Sequence, residues 1–202
     1  MVTTEQAVDK AAALAGRGGR VLLGIAGPPG AGKSRLAERV VTALGPDRSR
    51  LVAMDGFHLA QRALAELGRA ERKGAPDTFD EAGYVALLAR LRAADERVVW
   101  VPEFRRDLEE PIAGAIAVPA DVPLVVTEGN YLLYWPRVRA LLDECWWADC
   151  PDEERRARLV ARHEAYGKSP EYARAWVNGS DERNATLVAP GRNHADLVVS
   201  TC

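Results

Sequence analysis

Cysteine, histidine and unbroken apolar stretches are all scarce in this chain. Cys145, Cys150 and Cys202 are its three cysteines. They are too few and too irregularly spaced for a disulfide framework. They also lack His or Cys partners at zinc spacing. Cys145 and Cys150 read instead as core residues flanking a strand, in a reducing cytosol. No apolar run approaches the length of a membrane span, and Met1–Gly16 lacks the pattern of a secretory leader. A cytoplasmic protein with no membrane partner is expected. Neither sign of charge dominates: 27 Lys and Arg face 29 Asp and Glu, for a net charge of -2. That balance argues against nucleic acid as a partner. Internal repeats and low-complexity tracts are absent.

What remains suits one α/β domain over residues 1–202, with 48% hydrophobic residues to fill a core. The spacing predicts helices over Thr4–Ala15, Lys33–Leu44, Asp80–Arg92, Trp135–Asp143, Pro151–Tyr166 and Pro170–Leu187. Strands are predicted at Val21–Ala26, Leu51–Met54, Val98–Val101, Val122–Thr127, Glu144–Asp149 and Ala195–Ser200. Residues 56–80 read as an insertion, polar and punctuated by Gly and Pro from position 59. Near-continuous apolar strands alternating with helices indicate a mostly parallel sheet covered on both faces. Ligands in such sheets collect beyond the carboxyl ends of the strands.

The segment after the first strand carries the strongest signal. Gly27, Gly32, Lys33 and Ser34 fill the spacing G-x-x-x-x-G-K-S/T between a strand and a helix. Gly27, Gly30 and Gly32 let backbone N–H groups converge on phosphate oxygens. The rest of the loop, Pro28, Pro29, Ala31 and Arg35, belongs to the same nucleotide cradle. Lys33 sets a positive charge against the terminal phosphates, Ser34 offers a hydroxyl to Mg²⁺, and the following helix adds its N-terminal dipole. No Asn is followed by Lys, so the guanine-reading N-K-x-D pattern is missing and ATP is the expected nucleotide.

Three further strand ends carry polar groups. Asp55 follows the second strand, where a carboxylate can accept a hydroxyl proton or hold a metal-bound water. Before Gly56 it also suits a turn, and spacing does not separate the two readings. Glu128 follows the apolar run Val122–Thr127, at a position for the Mg²⁺ shell; its bland reading is a surface carboxylate beside a turn. His58, Arg105 and Arg106 are candidate acceptor contacts, against packing or surface roles. Arg155, Arg158 and Arg162 share one face of their helix. That face reads either as a solvated ion-pair surface or as a lid over about 151–170 that neutralises a transferring phosphate.

Taken in order, Gly27–Ser34, Met54-Asp55-Gly56-Phe57-His58, Pro76-Asp77-Thr78-Phe79-Asp80, Glu109-Glu110-Pro111, Glu128-Gly129-Asn130-Tyr131 and the Arg-rich segment ending Gly167-Lys168-Ser169 resemble the phosphoribulokinase/uridine kinase family of P-loop metabolite kinases. The family also includes bacterial-type pantothenate kinase, and the match looks most like its nucleoside/nucleotide kinase-like or fructose-kinase-like branch. The resemblance implies a three-layer P-loop sandwich with a five-stranded sheet. It implies Asp55 as catalytic base, Lys33, Arg158 and Arg162 on the phosphates, and Ser34 and Glu128 at Mg²⁺. Asp55, His58, Asp77, Phe79, Arg106, Glu128 and Tyr131 would border the acceptor. One departure stands out: Phe104 and Arg106 match an aromatic-Asp-Arg triplet, but Arg105 occupies the Asp position. An acidic group on the acceptor would fit that change. The expected function is transfer of the γ-phosphate of Mg·ATP to a small hydroxyl-bearing metabolite such as a nucleoside, a sugar or a pantothenate-like alcohol. The rival is an ATP-binding switch or assembly ATPase acting on a protein. A homodimer is the expected assembly by analogy with the family.

Overall fold

The computed structural model describes residues 1–202. Its strands are β1 (Val21–Ala26), β2 (Ser49–Ala53), β3 (Val98–Arg105), β4 (Glu110–Pro119), β5 (Leu124–Gly129), β6 (Glu144–Asp149) and β7 (Leu197–Ser200). Its α-helices are α1 (Thr4–Leu14), α2 (Lys33–Leu44), α3 (Gln61–Glu66), α4 (Glu81–Ala93), α5 (Pro136–Arg139), α6 (Asp152–Ala165), α7 (Pro170–Trp176) and α8 (Glu182–Val188). Five strands form one sheet in the order β2-β5-β1-β6-β7, and every pairing in it is parallel.

Alternation along the strands explains the layers. Leu22 of β1 and Val125 of β5 face one core with Tyr84, Leu88 and Leu91 of α4. Leu23, Ile25, Leu124 and Val126 face the other, against Ala7, Ala11 and Leu14 of α1 and Leu36 and Val40 of α2. Residues two apart share a face of a strand, so an unbroken apolar run serves both cores at once. The helices that cover the sheet are set by local chemistry. Thr3 and Gln6 form a capping box at the start of α1. The Asp80 carboxylate caps α4 by accepting from the Gly83 amide at 2.8 Å.

The structure departs from the sequence reading in several places. Val98–Val101 does not stop at Pro102. It continues to Arg105 through an irregularity between Val101 and Glu103 and pairs antiparallel with β4. This hairpin is a second, two-stranded sheet, so the five-stranded sheet is wholly parallel. No strand is predicted over β4 because three alanines, a glycine and two prolines weaken its strand preference, and Val118 is its one buried residue. The helix predicted over Trp135–Asp143 is one turn, α5, begun by Pro136. The helix predicted from Pro170 to Leu187 is interrupted by a π-helical turn over Val177–Asp181. Cys150 is a correction of kind: it is bonded to Cys202, with Cα atoms 5.7 Å apart, and is not a core thiol. Cys145 is buried and free, as expected.

Gly129 illustrates how tightly the sheet is covered. A Cβ there would lie 2.5 Å from Met54 Cβ. Gly129→Ala is therefore expected to lower stability by about 1–3 kcal/mol, read as a lower urea midpoint with unchanged slope.

Candidate active site

The parallel register sets the carboxyl ends of three strands side by side. Ala26 of β1 lies beside Gly129 of β5, and Ala53 of β2 lies beside Glu128. The segments that follow these strands therefore open onto one place. It is the head of a cavity of about 490 Å³ lined by, among others, Lys33, Ser34, Asp55, Arg106, Glu128 and Arg162.

The loop between β1 and α2 is held in shape by its glycines. Gly30 (φ 78°) and Gly32 (φ 85°) are left-handed. A Cβ on Gly30 would lie 2.5 Å from the Arg155 carbonyl oxygen, so helix α6 packs directly on the loop. Lys33 Nζ donates to the Pro28 carbonyl at 3.0 Å. Ser34 Oγ donates to Glu128 Oε1 at 3.1 Å. Ser34 and Glu128 thus put hard oxygen donors together, which suits Mg²⁺.

Asp55 sits across from the loop and accepts from Arg106 Nη2 at 2.9 Å. His58 Nδ1 lies 2.8 Å from the Asp55 carbonyl oxygen. The His58 ring packs between Phe79 and Phe104, with centroids 4.0 and 4.7 Å away. Arg162 reaches the same cavity from α6.

Other predicted site residues stand elsewhere. Asp77 does not line the cavity; it is half-exposed and paired with Arg69 and Arg72. Tyr131 is buried, and its hydroxyl donates to the Gly74 carbonyl at 2.5 Å. Arg105 turns outward to Asp107 at 2.7 Å. Arg158 lines a smaller adjoining cleft on the other side of the loop, together with Gly32, Lys33, Ser34 and Arg162. Arg155 is not free to meet a phosphate. It is buried and paired with Asp152 at 2.8 Å and with Glu182. Lys73 and Asn184 line the cavity unforeseen as contacts. Lys73 lies inside the polar stretch read as an insertion, where no spacing marks it. Asn184 lies in α8, which reaches the cavity wall only through the tertiary fold.

No family model matches the chain. A crystal structure from Silicibacter sp. TM1040, provisionally named a fructose transport system kinase, superposes with a TM-score of 0.84 at 33% identity, covering 98% of this chain and 99% of that one. An ATP-dependent kinase-like protein of Aspergillus versicolor is 35% identical over 133 residues, 60% of this chain and 77% of its own. A Schizosaccharomyces pombe protein provisionally named a uridine kinase is 29% identical over 89% of this chain and 83% of its own length. The chain belongs to the phosphoribulokinase/uridine kinase family of P-loop kinases. No helix is long and apolar enough to cross a membrane.

In this P-loop kinase the site is a close-set knot of charge, with Lys33 and Glu128 buried at its base. Burial lowers Lys33 to about 8, with Glu128 and Asp55 opposing the shift. Burial, then Asp55, raises Glu128 to about 7, against Lys33 and the Ser34 hydroxyl. Burial alone would raise Asp55, but His58, Arg106 and Lys33 outweigh it and hold the carboxyl below its usual range. Burial also lowers His58. Its charge therefore counts only at low pH, and near pH 7 Arg106 and Lys33 are the cations that hold Asp55 ionised.

Glu128 links the site to stability. The folded carboxyl keeps its proton to about pH 7, whereas its ordinary value is 4.5. Between those values the native state holds more protons than the unfolded chain, so this contribution is full below the lower value and is lost as pH rises. Glu128→Gln is expected to flatten that fall and to leave the ligand-free protein about 1–3 kcal/mol more stable at pH 7.5. Urea denaturation at pH 5 and pH 7.5 checks it, and an unchanged pH slope would contradict the assignment.

Proposed function

We propose that the protein transfers the γ-phosphoryl group of ATP to a hydroxyl of a small metabolite, in one domain spanning residues 1–202. The observation that carries this reading is the meeting of Lys33, Ser34, Glu128 and Asp55 at the head of one cavity. A phosphate cradle and an ionised carboxylate then face each other across a space the size of a small-molecule site. The names of related kinases support a small acceptor; Asp55 and the aromatic walls around His58 support an alcohol bound beside the loop.

The residues divide the work as follows. Residues Gly27–Arg35 hold the triphosphate through backbone N–H groups, with Lys33 on its terminal oxygens. Ser34 and Glu128 would hold Mg²⁺, directly or through water. When bound, that ion neutralises charge on the phosphate oxygens. Asp55 accepts the acceptor's proton as its oxygen attacks. Arg106 keeps Asp55 ionised and its carboxylate oriented. Arg162 adds positive charge where the transferring group gathers negative charge. Phosphoryl transfer requires little beyond positioning and charge stabilisation, and this set supplies both.

The position of Arg105 alters the notion of an acidic acceptor. Its guanidinium is spent on Asp107 at the surface, and Lys73 is likewise paired with Glu109 at 3.3 Å. A neutral alcohol fits these satisfied walls at least as well as an anion.

Asp55→Asn is expected to retain nucleotide binding and lose turnover by about 10²–10⁴-fold. An ADP-release assay against a panel of nucleosides, sugars and pantothenate-like alcohols measures this; full turnover by the variant would refute the base. Lys33→Ala is expected to weaken ATP binding as well as abolish turnover, read by calorimetric titration.

A further inference from the structure

The bond between Cys150 and Cys202 lies against the candidate phosphate loop. Cys150 follows β6 and precedes the first residue of α6 by two positions. Cys202 follows Thr201, which leaves β7. Thr201 Oγ1 donates to the Ala31 carbonyl of the loop at 2.6 Å, and the Thr201 amide donates to the Asp149 carbonyl at 3.0 Å. Thr201 Cβ also stands 3.3 Å from where a side chain on Gly32 would begin. Arg158, one turn before Arg162 on α6, donates to Cys150 Sγ and to the Thr201 carbonyl, each at 3.4 Å. One disulfide therefore fixes three things at once: the exit of β7, the start of α6, and the Thr201 hydroxyl that supports the loop backbone.

From this arrangement we infer that Cys150 and Cys202 form a reversible thiol–disulfide site whose state sets the grip of the loop on nucleotide. The inference rests on the reading of Gly27–Arg35 as the phosphate cradle. The bond is accessible: Cys202 is exposed and Cys150 is partly so. The third thiol, Cys145, is buried, and burial pushes it up to about 12, so it stands apart from the exchange.

The chemistry is ordinary exchange with a dithiol. One thiolate of the reductant attacks one sulphur of the pair, forms a mixed disulfide and expels the other cysteine as a thiolate. The reductant's second thiol then closes its own disulfide and releases the second cysteine. The protein gains two electrons and two protons; the dithiol loses both. The Arg158 guanidinium beside Cys150 stabilises the negative charge of that sulphur as it leaves, against the Glu154 carboxylate, which lies within 4.8 Å of both sulphurs and pairs with Arg158 at 3.5 Å. Once the bond opens, Thr201 keeps its single hydrogen bond to Ala31 and its bonds to the Asp149 carbonyl and Arg158, with no covalent tie beside them. Residues 150–202, which include all of α6, α7 and α8, are no longer closed into a covalent loop. The loop backbone then has more freedom to lose when it binds a triphosphate.

The experiment compares the full chain oxidised by a cyclic disulfide with the same chain reduced by dithiothreitol. Denatured protein should present one titratable thiol after oxidation and three after reduction. ATP should bind the oxidised form at least about fivefold more tightly. Linkage then requires ATP to make the bond harder to reduce by the same factor, about 20 mV in a dithiothreitol titration. Cys150→Ser and Cys202→Ser should each bind ATP as the reduced protein does and should ignore the redox state. Equal ATP affinity in the two states, or three thiols after oxidation, would overturn the inference while leaving the cradle intact. Failure of either form to bind ATP would instead bring down the cradle reading and, with it, this one.

Discussion

Everything at the site depends on crowding opposite charges into a place only partly open to water. Lys33, Glu128 and Asp55 stand at the ends of adjacent parallel strands, and burial disfavours the charged form of each. None would be tolerated there alone, since an isolated buried charge costs several kcal/mol. They are tolerated because the register of β1, β2 and β5 brings all three to one spot. The same closeness makes them chemically useful. A low-dielectric cluster of balanced charge responds strongly to any added phosphate or metal.

The helix that faces the loop has two different ends. Near its start, Arg155 is buried against Asp152 and Glu182, which ties α6 to α8. Arg156 strengthens the tie through Glu182 at 2.7 Å. Towards its finish, His163 meets Asp181 at 3.1 Å, and the chain then passes through exposed residues to Ser169. The cation closest to the fold is a strut, and the one further along, Arg162, remains directed at the cavity. A face of arginines at helical spacing therefore splits into members paired within the fold and a member that lines the cavity, and the helix wheel does not tell them apart.

That limit is general for this chain. Gly27–Ser34 was legible because its function dictates a fixed local spacing. β1, α2 and β6 were legible to the residue because an unbroken apolar run or an amphipathic repeat specifies each of them locally. Asp55 and Glu128 were legible as strand-end residues, since fold geometry makes those positions special. What escaped depends on distant partners. Strand β4 is held by pairing with β3, not by its own composition. Arg155 is buried by Glu182, which lies 27 residues away. Cys150 and Cys202 are separated by 52 positions and meet only because β6 and β7 are neighbours.

The Gly74 carbonyl accepts from two side chains, Tyr131 Oη at 2.5 Å and Asn184 Nδ2 at 3.2 Å. Those donors come from different elements, one just past β5 and the other in α8. Swinging that wall of the pocket outward has to break both bonds in the same motion. One backbone oxygen thus stitches the insertion to two other parts of the fold at the rim of the pocket.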